Sequence, residues 1–221
     1  MDERVTTLLL IRHGQTPNNV IGALDTALPG AGLTELGHAQ ADDLVPRLAD
    51  RRIDRVVASA HDRARLTAGP LTAERGLTLT QDAGFGEIFA GDLEMATTHE
   101  AADIYLDTAY AWATGDLEAR IPGGPAGAET LERFTEALER SLDGLDDDAT
   151  LAVVSHGAVL RLWVTSQCEN LTPREVRQRR IPNTTVLTLE GRPGAWRFVA
   201  WDEPRLLDLA ADDPTANADE D

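Results

Sequence analysis

The sequence predicts an α/β fold: a three-layer, mostly parallel sheet with helices on both faces, a C-terminal antiparallel hairpin and a small lid segment. Short apolar runs of strand length alternate with amphipathic stretches of helix length, the pattern of crossover units that cover a parallel sheet. Near the end, two β-rich runs flank Gly191-Arg192-Pro193-Gly194, a turn that joins antiparallel neighbours. With 221 residues the chain is long enough for one domain with a substantial core.

The elements follow in order. Val5 to Ile11 is an apolar run too short to span a bilayer and lacking a cleavage site behind it, so it reads as a buried strand. Gly14 to Gly32, rich in Gly, Pro and Asn, reads as a loop. Thr34 caps a helix to about Asp50, with Leu36, Leu44 and Leu48 on one stripe and a kink at Pro46. Ile53 to Ala58 is a second strand, Asp62 to Arg75 a helix stopped by Gly76, and Leu77 to Thr80 a short third strand. Residues 81–128 are less regular, with one helix over Thr98 to Thr114, and are expected to cover a site as a lid.

Glu129 to Leu145 repeats Leu131, Phe134, Leu138, Leu142 and Leu145 at helical steps. Thr150 to Ser155 is a compact strand and Gly157 to Gln167 the helix behind it; Thr172-Pro173-Arg174-Glu175 carries a capping box. Thr184 to Leu189 and Trp196 to Trp201 form the hairpin. The expected organisation is one domain over 1–204 and an acidic, loosely ordered tail over 205–221.

Composition narrows the function. The formal net charge of −18 opposes the broad basic face that nucleic acids and anionic membranes require. All 20 cations are arginine, which removes a P-loop lysine and any Schiff-base lysine. Cys168 is the only cysteine, so no intrachain disulfide or thiolate cage can form, and a reducing, cytoplasmic location is expected.

Ligands of open α/β sheets bind beyond the carboxyl ends of the strands. Three apolar runs end in polar groups: Arg12-His13-Gly14, Ser59 with Arg63 one turn later, and Ser155-His156-Gly157. Arginine cannot ligate a metal, but its planar fork grips phosphoryl oxygens in pairs. No metal and no cofactor are expected, and the cluster suits a dianionic phosphate.

These segments resemble the histidine phosphatase superfamily, which includes cofactor-dependent phosphoglycerate mutases and many phosphatases. Leu8 to Asn19 (LLLIRHGQTPNN) is similar to the family's strand and R-H-G-x-T-x-x-N motif. Leu33 to Gly37, Arg63 to Ala68, Glu87 to Gly91 and Val154 to Gly157 follow in the family's order. The resemblance implies His13 as a nucleophile forming a phosphohistidine, its other ring nitrogen held by the backbone near Gly14. It implies Arg12, Arg63 and His156 around the phosphoryl oxygens, Asn19 adding a hydrogen bond, and Glu87 as proton donor with a pKa raised by burial.

The implied activity is hydrolysis of a small phosphate ester without metal. The alternatives are a phosphoglycerate-type mutase and a non-catalytic phospho-ligand module. Neither nucleic acid nor membrane is an expected partner; a homodimer would not surprise, given an edge strand in the hairpin. Leu93 and Met95 stand where many members have Trp and Gly. Pro125-Ala126 replaces a common Glu-Ser, so a polar contact there is missing or supplied by Glu129. No counterpart of the mutases' tryptophan loop lies between Ile21 and Gly32.

His61 occupies a position where the family has an apolar residue; it either touches substrate or is exposed. His38 is expected on an outer helix face, and His99-Glu100-Ala101-Ala102-Asp103 reads as a solvated helix start rather than a zinc motif. Tyr105, Tyr110 and Trp112 either line the substrate's organic part or pack the lid.

Overall fold

The computed structural model describes residues 5–208 and 213–216; the expected loose tail over 205–221 lies in part outside the described residues. A mixed six-stranded sheet in the order β3-β2-β4-β1-β5-β6 forms the middle layer. Its strands are β1 (Thr6–Arg12), β2 (Arg55–Ala58), β3 (Leu79–Gln81), β4 (Thr150–Ser155), β5 (Val186–Arg192) and β6 (Ala195–Asp202). The first four run parallel, and β5 and β6 are antiparallel, as the hairpin pattern predicts.

Strand alternation divides the core in two. Leu8 and Leu10 of β1 face one layer with Leu151 and Val153 of β4, whereas Leu9 and Ile11 face the other with Ala152 and Val154. Helices α2 (Glu35–Arg47) and α3 (Asp62–Arg75) cover the second face through Leu44, Ala64, Ala68 and Leu71. Helices α4 (His99–Ala113), α5 (Gly127–Leu142) and α6 (Gly157–Gln167) cover the first, with Tyr105, Trp112, Phe134 and Trp163 at its centre. A short α7 (Pro173–Arg177) carries the Thr172–Glu175 capping box.

Local chemistry sets the ends. Gly76 closes α3 at φ +62°, a left-handed conformation that a side chain would disfavour. The expected loop after β1 instead contains a helical turn, α1 (Pro17–Val20), whose capping box pairs Thr16 with Asn19. Residues 81–128 are joined to the core by Phe85, Ile88, Tyr105 and Trp112. Among the described residues no helix is long and apolar enough to cross a membrane.

Candidate active site

Register brings the site together. β1 and β4 lie side by side in parallel with Arg12 opposite Ser155, so His13 and His156 leave the sheet at the same level. β2 pairs with β4 at Ala58 and Val154, and Ser59 continues the ladder by donating its N–H to the Val154 carbonyl at 2.9 Å. The imidazoles of His13 and His156 sit edge to face with centroids 5.1 Å apart. The three strand ends singled out in the sequence therefore converge.

His13 Nδ1 lies 2.7 Å from the Gly14 carbonyl oxygen. A carbonyl only accepts, so Nδ1 carries the hydrogen and Nε2 keeps its lone pair. Burial, with Arg63 and Arg12 nearby, holds the His13 pKa well below the usual 6.5, so the ring is neutral. The loop holding it is pressed against α2. A Cβ at Gly37 would meet the Gln15 carbonyl oxygen at 2.1 Å, and one at Gly14 the Gly37 oxygen at 2.6 Å, so neither position tolerates a side chain without backbone movement.

His13, Thr16, Asn19, Arg63, Glu87 and Tyr105 line one pocket. Arg63 is buried; its Nε–H donates to His156 Nδ1 at 3.2 Å and its Nη2 to the Asp25 carbonyl at 2.8 Å, with the Asp25 carboxylate 3.4 Å from Nη1. Asn19 gives its Oδ1 to the Thr16 N–H at 3.0 Å and to Asn183 Nδ2 at 3.2 Å, leaving its own amide hydrogens as the group it can offer a ligand. Glu87 sits on the first turn of α6, accepting from Ala158 N–H at 3.1 Å and Val159 N–H at 2.8 Å, and from Ile88 N–H at 2.9 Å. Burial raises its pKa above the usual 4.5, against the opposing pull of those three N–H groups.

Arg12 and His156 are fully buried beside the pocket-lining His13 and Arg63. The Arg12 guanidinium donates to the Ile181 carbonyl and to Thr215 Oγ1 and forms an ion pair with Asp213, while its Nε–H has no partner among the described residues. The expectation that Arg12 faces phosphate directly thus meets a competing anion, Asp213, which itself lines the pocket with Thr215. Glu129 does not take the place of the missing Glu-Ser contact: it pairs with Arg120 at 2.9 Å on the surface.

Sequence reasoning missed several neighbours. His61 is 4% exposed, so the expectation that it lies on the surface does not hold. It lies against His156, centroids 4.6 Å apart, and is tied to it through Ser59. Its place between Ser59, just past the end of β2, and Arg63, in the first turn of α3, was the available signal. Tyr105 lines the pocket and donates to the Ile88 carbonyl at 2.8 Å, Trp112 packs in the core with Nε1–H on the Ala119 carbonyl at 2.7 Å, and Tyr110 lies under the Arg177 guanidinium at 4.1 Å. His38 and His99 are exposed.

Residues 8–204 match the profile of the histidine phosphatase superfamily (branch 1). PE-PGRS family protein PE_PGRS11 of Mycobacterium tuberculosis is 30% identical over 87% of this chain, although the chain spans only 35% of that protein's length. The adenosylcobalamin/alpha-ribazole phosphatase of Salmonella typhimurium is 35% identical over 71% of this chain and 77% of its own. Among solved structures, mycobacterial glucosyl-3-phosphoglycerate phosphatase with VO3 superposes with a TM-score of 0.74 and 25% identity, covering 89% of this chain and 98% of the other. The match runs from β1 to just past β6 and includes every strand end that builds the pocket, so the chain belongs to the histidine phosphatase superfamily.

Proposed function

We propose that the protein is a metal-independent phosphomonoesterase that hydrolyses a small phosphorylated metabolite through a phosphohistidine on His13. The observation that carries this reading is the fixed tautomer of His13, whose Nδ1–H is held by the Gly14 carbonyl in a pocket shared with Arg63 and Glu87. The free Nε2 lone pair attacks phosphorus as the ester oxygen leaves. Arg63 and His156, with Arg12 once Asp213 yields, stabilise the charge on the equatorial oxygens, and an Asn19 amide hydrogen adds to them. Glu87 gives its proton to the departing alkoxide, then takes one from the water that attacks the phosphohistidine and frees His13. Two of the relatives above are themselves named as phosphatases of small metabolites, which supports the substrate class.

A mutase shares the first half of this cycle but must hold a second phosphate for return transfer. Around this pocket Arg63 is accompanied by Asp25 and Asp213, carboxylates that disfavour a second anion. The buried single cysteine, Cys168, fits a reducing compartment such as the cytoplasm. β6 is an outer strand of the sheet and offers an edge for pairing with a second copy, which light scattering on the purified protein tests.

The test is release of inorganic phosphate from a panel of small phosphate esters, with and without chelator, by wild type and His13→Ala. Turnover that survives chelator and disappears in the variant supports the reading. A labelled phosphoenzyme that persists until a sugar or glycerate acceptor is added overturns it in favour of the mutase.

A further inference from the structure

His156 is not held by backbone alone. Its Nε2 lies 2.9 Å from Ser59 Oγ, Ser59 Oγ lies 2.9 Å from His61 Nδ1, and His61 Nε2 lies 2.9 Å from the Thr26 carbonyl oxygen. His156, Ser59 and His61 are all buried, so each group must find its partner within the chain.

The two ends fix the direction of every hydrogen. The Thr26 carbonyl only accepts, so His61 Nε2 carries a hydrogen. Arg63 Nε–H only donates, so His156 Nδ1 presents its lone pair and His156 Nε2 carries the hydrogen. Ser59 then accepts from His156 Nε2–H and donates to His61 Nδ1, and both rings are neutral. In that arrangement His156 shows a lone pair on the nitrogen facing Arg63, and a lone pair repels a phosphoryl oxygen.

We propose that His61 is a positioning residue that, through Ser59, sets which nitrogen of His156 bears hydrogen and accommodates the proton taken up when an anion binds. This rests on the phosphomonoesterase reading and adds to it a protonation step. The proton arrives from solvent at His156 Nδ1, which gives up the hydrogen bond from Arg63 Nε–H, and both donors then turn to the anion. The Nε2 hydrogen passes to Ser59 Oγ, and the Ser59 hydroxyl hydrogen passes to His61 Nδ1. The sum is one added proton: His156 stays neutral with Nδ1–H available to the anion, and the positive charge rests on His61, which retains Nε2–H on Thr26.

The surroundings make His61 the better place for that charge. His156 is pressed by Arg63, with Arg133 and the rings of His13 and His61 also near. His61 also feels Arg63 and Arg133, but Asp25 from the loop after α1 draws the other way. Asp62, next in sequence, is paired with Arg65, while Glu94 holds the Thr26 and Ala27 N–H groups, each at 2.9 Å, beside the carbonyl that His61 donates to. An apolar residue at position 61 would leave His156 with only itself to protonate.

The experiment measures proton uptake on binding of sulfate, which stays a dianion across neutral pH, by calorimetry in buffers of different ionisation enthalpy. Wild type takes up close to one proton per sulfate near neutral pH, and its affinity falls about tenfold per pH unit above that window. His61→Leu abolishes the uptake and flattens the profile. Ser59→Ala, which breaks the chain while keeping His61, does the same and serves if His61→Leu does not fold. His13→Ala retains the uptake, which assigns the proton away from the nucleophile. Uptake unchanged in both His61→Leu and Ser59→Ala overturns the inference while leaving phosphatase turnover standing; a wild type that neither hydrolyses phosphate esters nor binds sulfate overturns the functional reading and this inference with it.

Discussion

The carboxylate of Asp213 pairs with the guanidinium of Arg12, 201 residues earlier in the chain, and both are buried. A buried arginine is tolerable only with such a partner, and removing one member of a buried pair costs about 3–5 kcal/mol because the other is left uncompensated. Asp213 also lines the pocket, where a phosphate would offer Arg12 the same negative charge. Asp213→Ala should therefore lower the melting temperature of the ligand-free protein, and inorganic phosphate should restore more of it than it adds to wild type. Equal phosphate-induced shifts in the two proteins would show that the carboxylate and the ligand do not compete.

Loss of the nucleophile should be nearly complete. His13→Ala is expected to reduce kcat/KM for small phosphate esters by at least about a thousand-fold, on the scale of removing a covalent catalyst. Acid-labile, alkali-stable phosphate attached to wild type during turnover should be absent from the variant. Rapid-quench labelling measures both.

Glu87 should matter in proportion to how badly the leaving group needs a proton. Glu87→Gln is expected to slow hydrolysis of alkyl phosphates by about 10²–10⁴-fold while sparing activated aryl phosphates. In wild type the alkaline limb of kcat/KM for alkyl phosphates carries loss of the Glu87 proton, which burial retains above the usual carboxyl range, in addition to the binding-linked proton uptake that both substrate classes share. Its acid limb reports protonation of His13 and falls below the ordinary imidazole range. A pH profile on the two substrate classes checks both.

Stability should fall on acidification through the histidines. Burial lowers the pKa of His13, His61 and His156 from 6.5, so the unfolded chain binds protons that the folded one refuses. Their contribution is intact above pH 6.5 and is lost as pH falls from there toward the folded values, by up to about 1.4 kcal/mol per pH unit for each ring. Urea melts at several pH values should show this slope, and it should be shallower in His61→Leu.

What was legible in the sequence is what local pattern encodes. Arg12-His13 and Ser155-His156 end apolar runs that can only be strands, and parallel pairing in register then forces them together. The spans of α3, β4 and α6 match their expected bounds because Gly76, Ser155 and the run behind Gly157 punctuate them. α1 was hidden because its capping box uses Asn19 where Glu or Gln is the usual third residue, inside a stretch that reads as loop. The Asp213–Arg12 pair was hidden for a different reason. No periodicity marks Asp213, and a contact between Arg12 of the first strand-end motif and a polar segment near the C-terminus is decided by burial of Arg12, not by local propensity. His61 shows the same limit, since its meaning depends on where one serine hydroxyl points.

The position of β1 within the sheet has a consequence for biosynthesis. Of the six strands it is made before the others, yet among the described residues its neighbours are β4 and β5, which are made after β2 and β3. Until translation reaches them, its backbone groups have no ladder to join, and the nascent N-terminal portion must stay out of association with other chains. A chain cleaved between α5 and β4 would yield two inert fragments, one carrying His13 and the other His156, whose recombination, by seating β1 between its late partners, would rebuild the pocket from both.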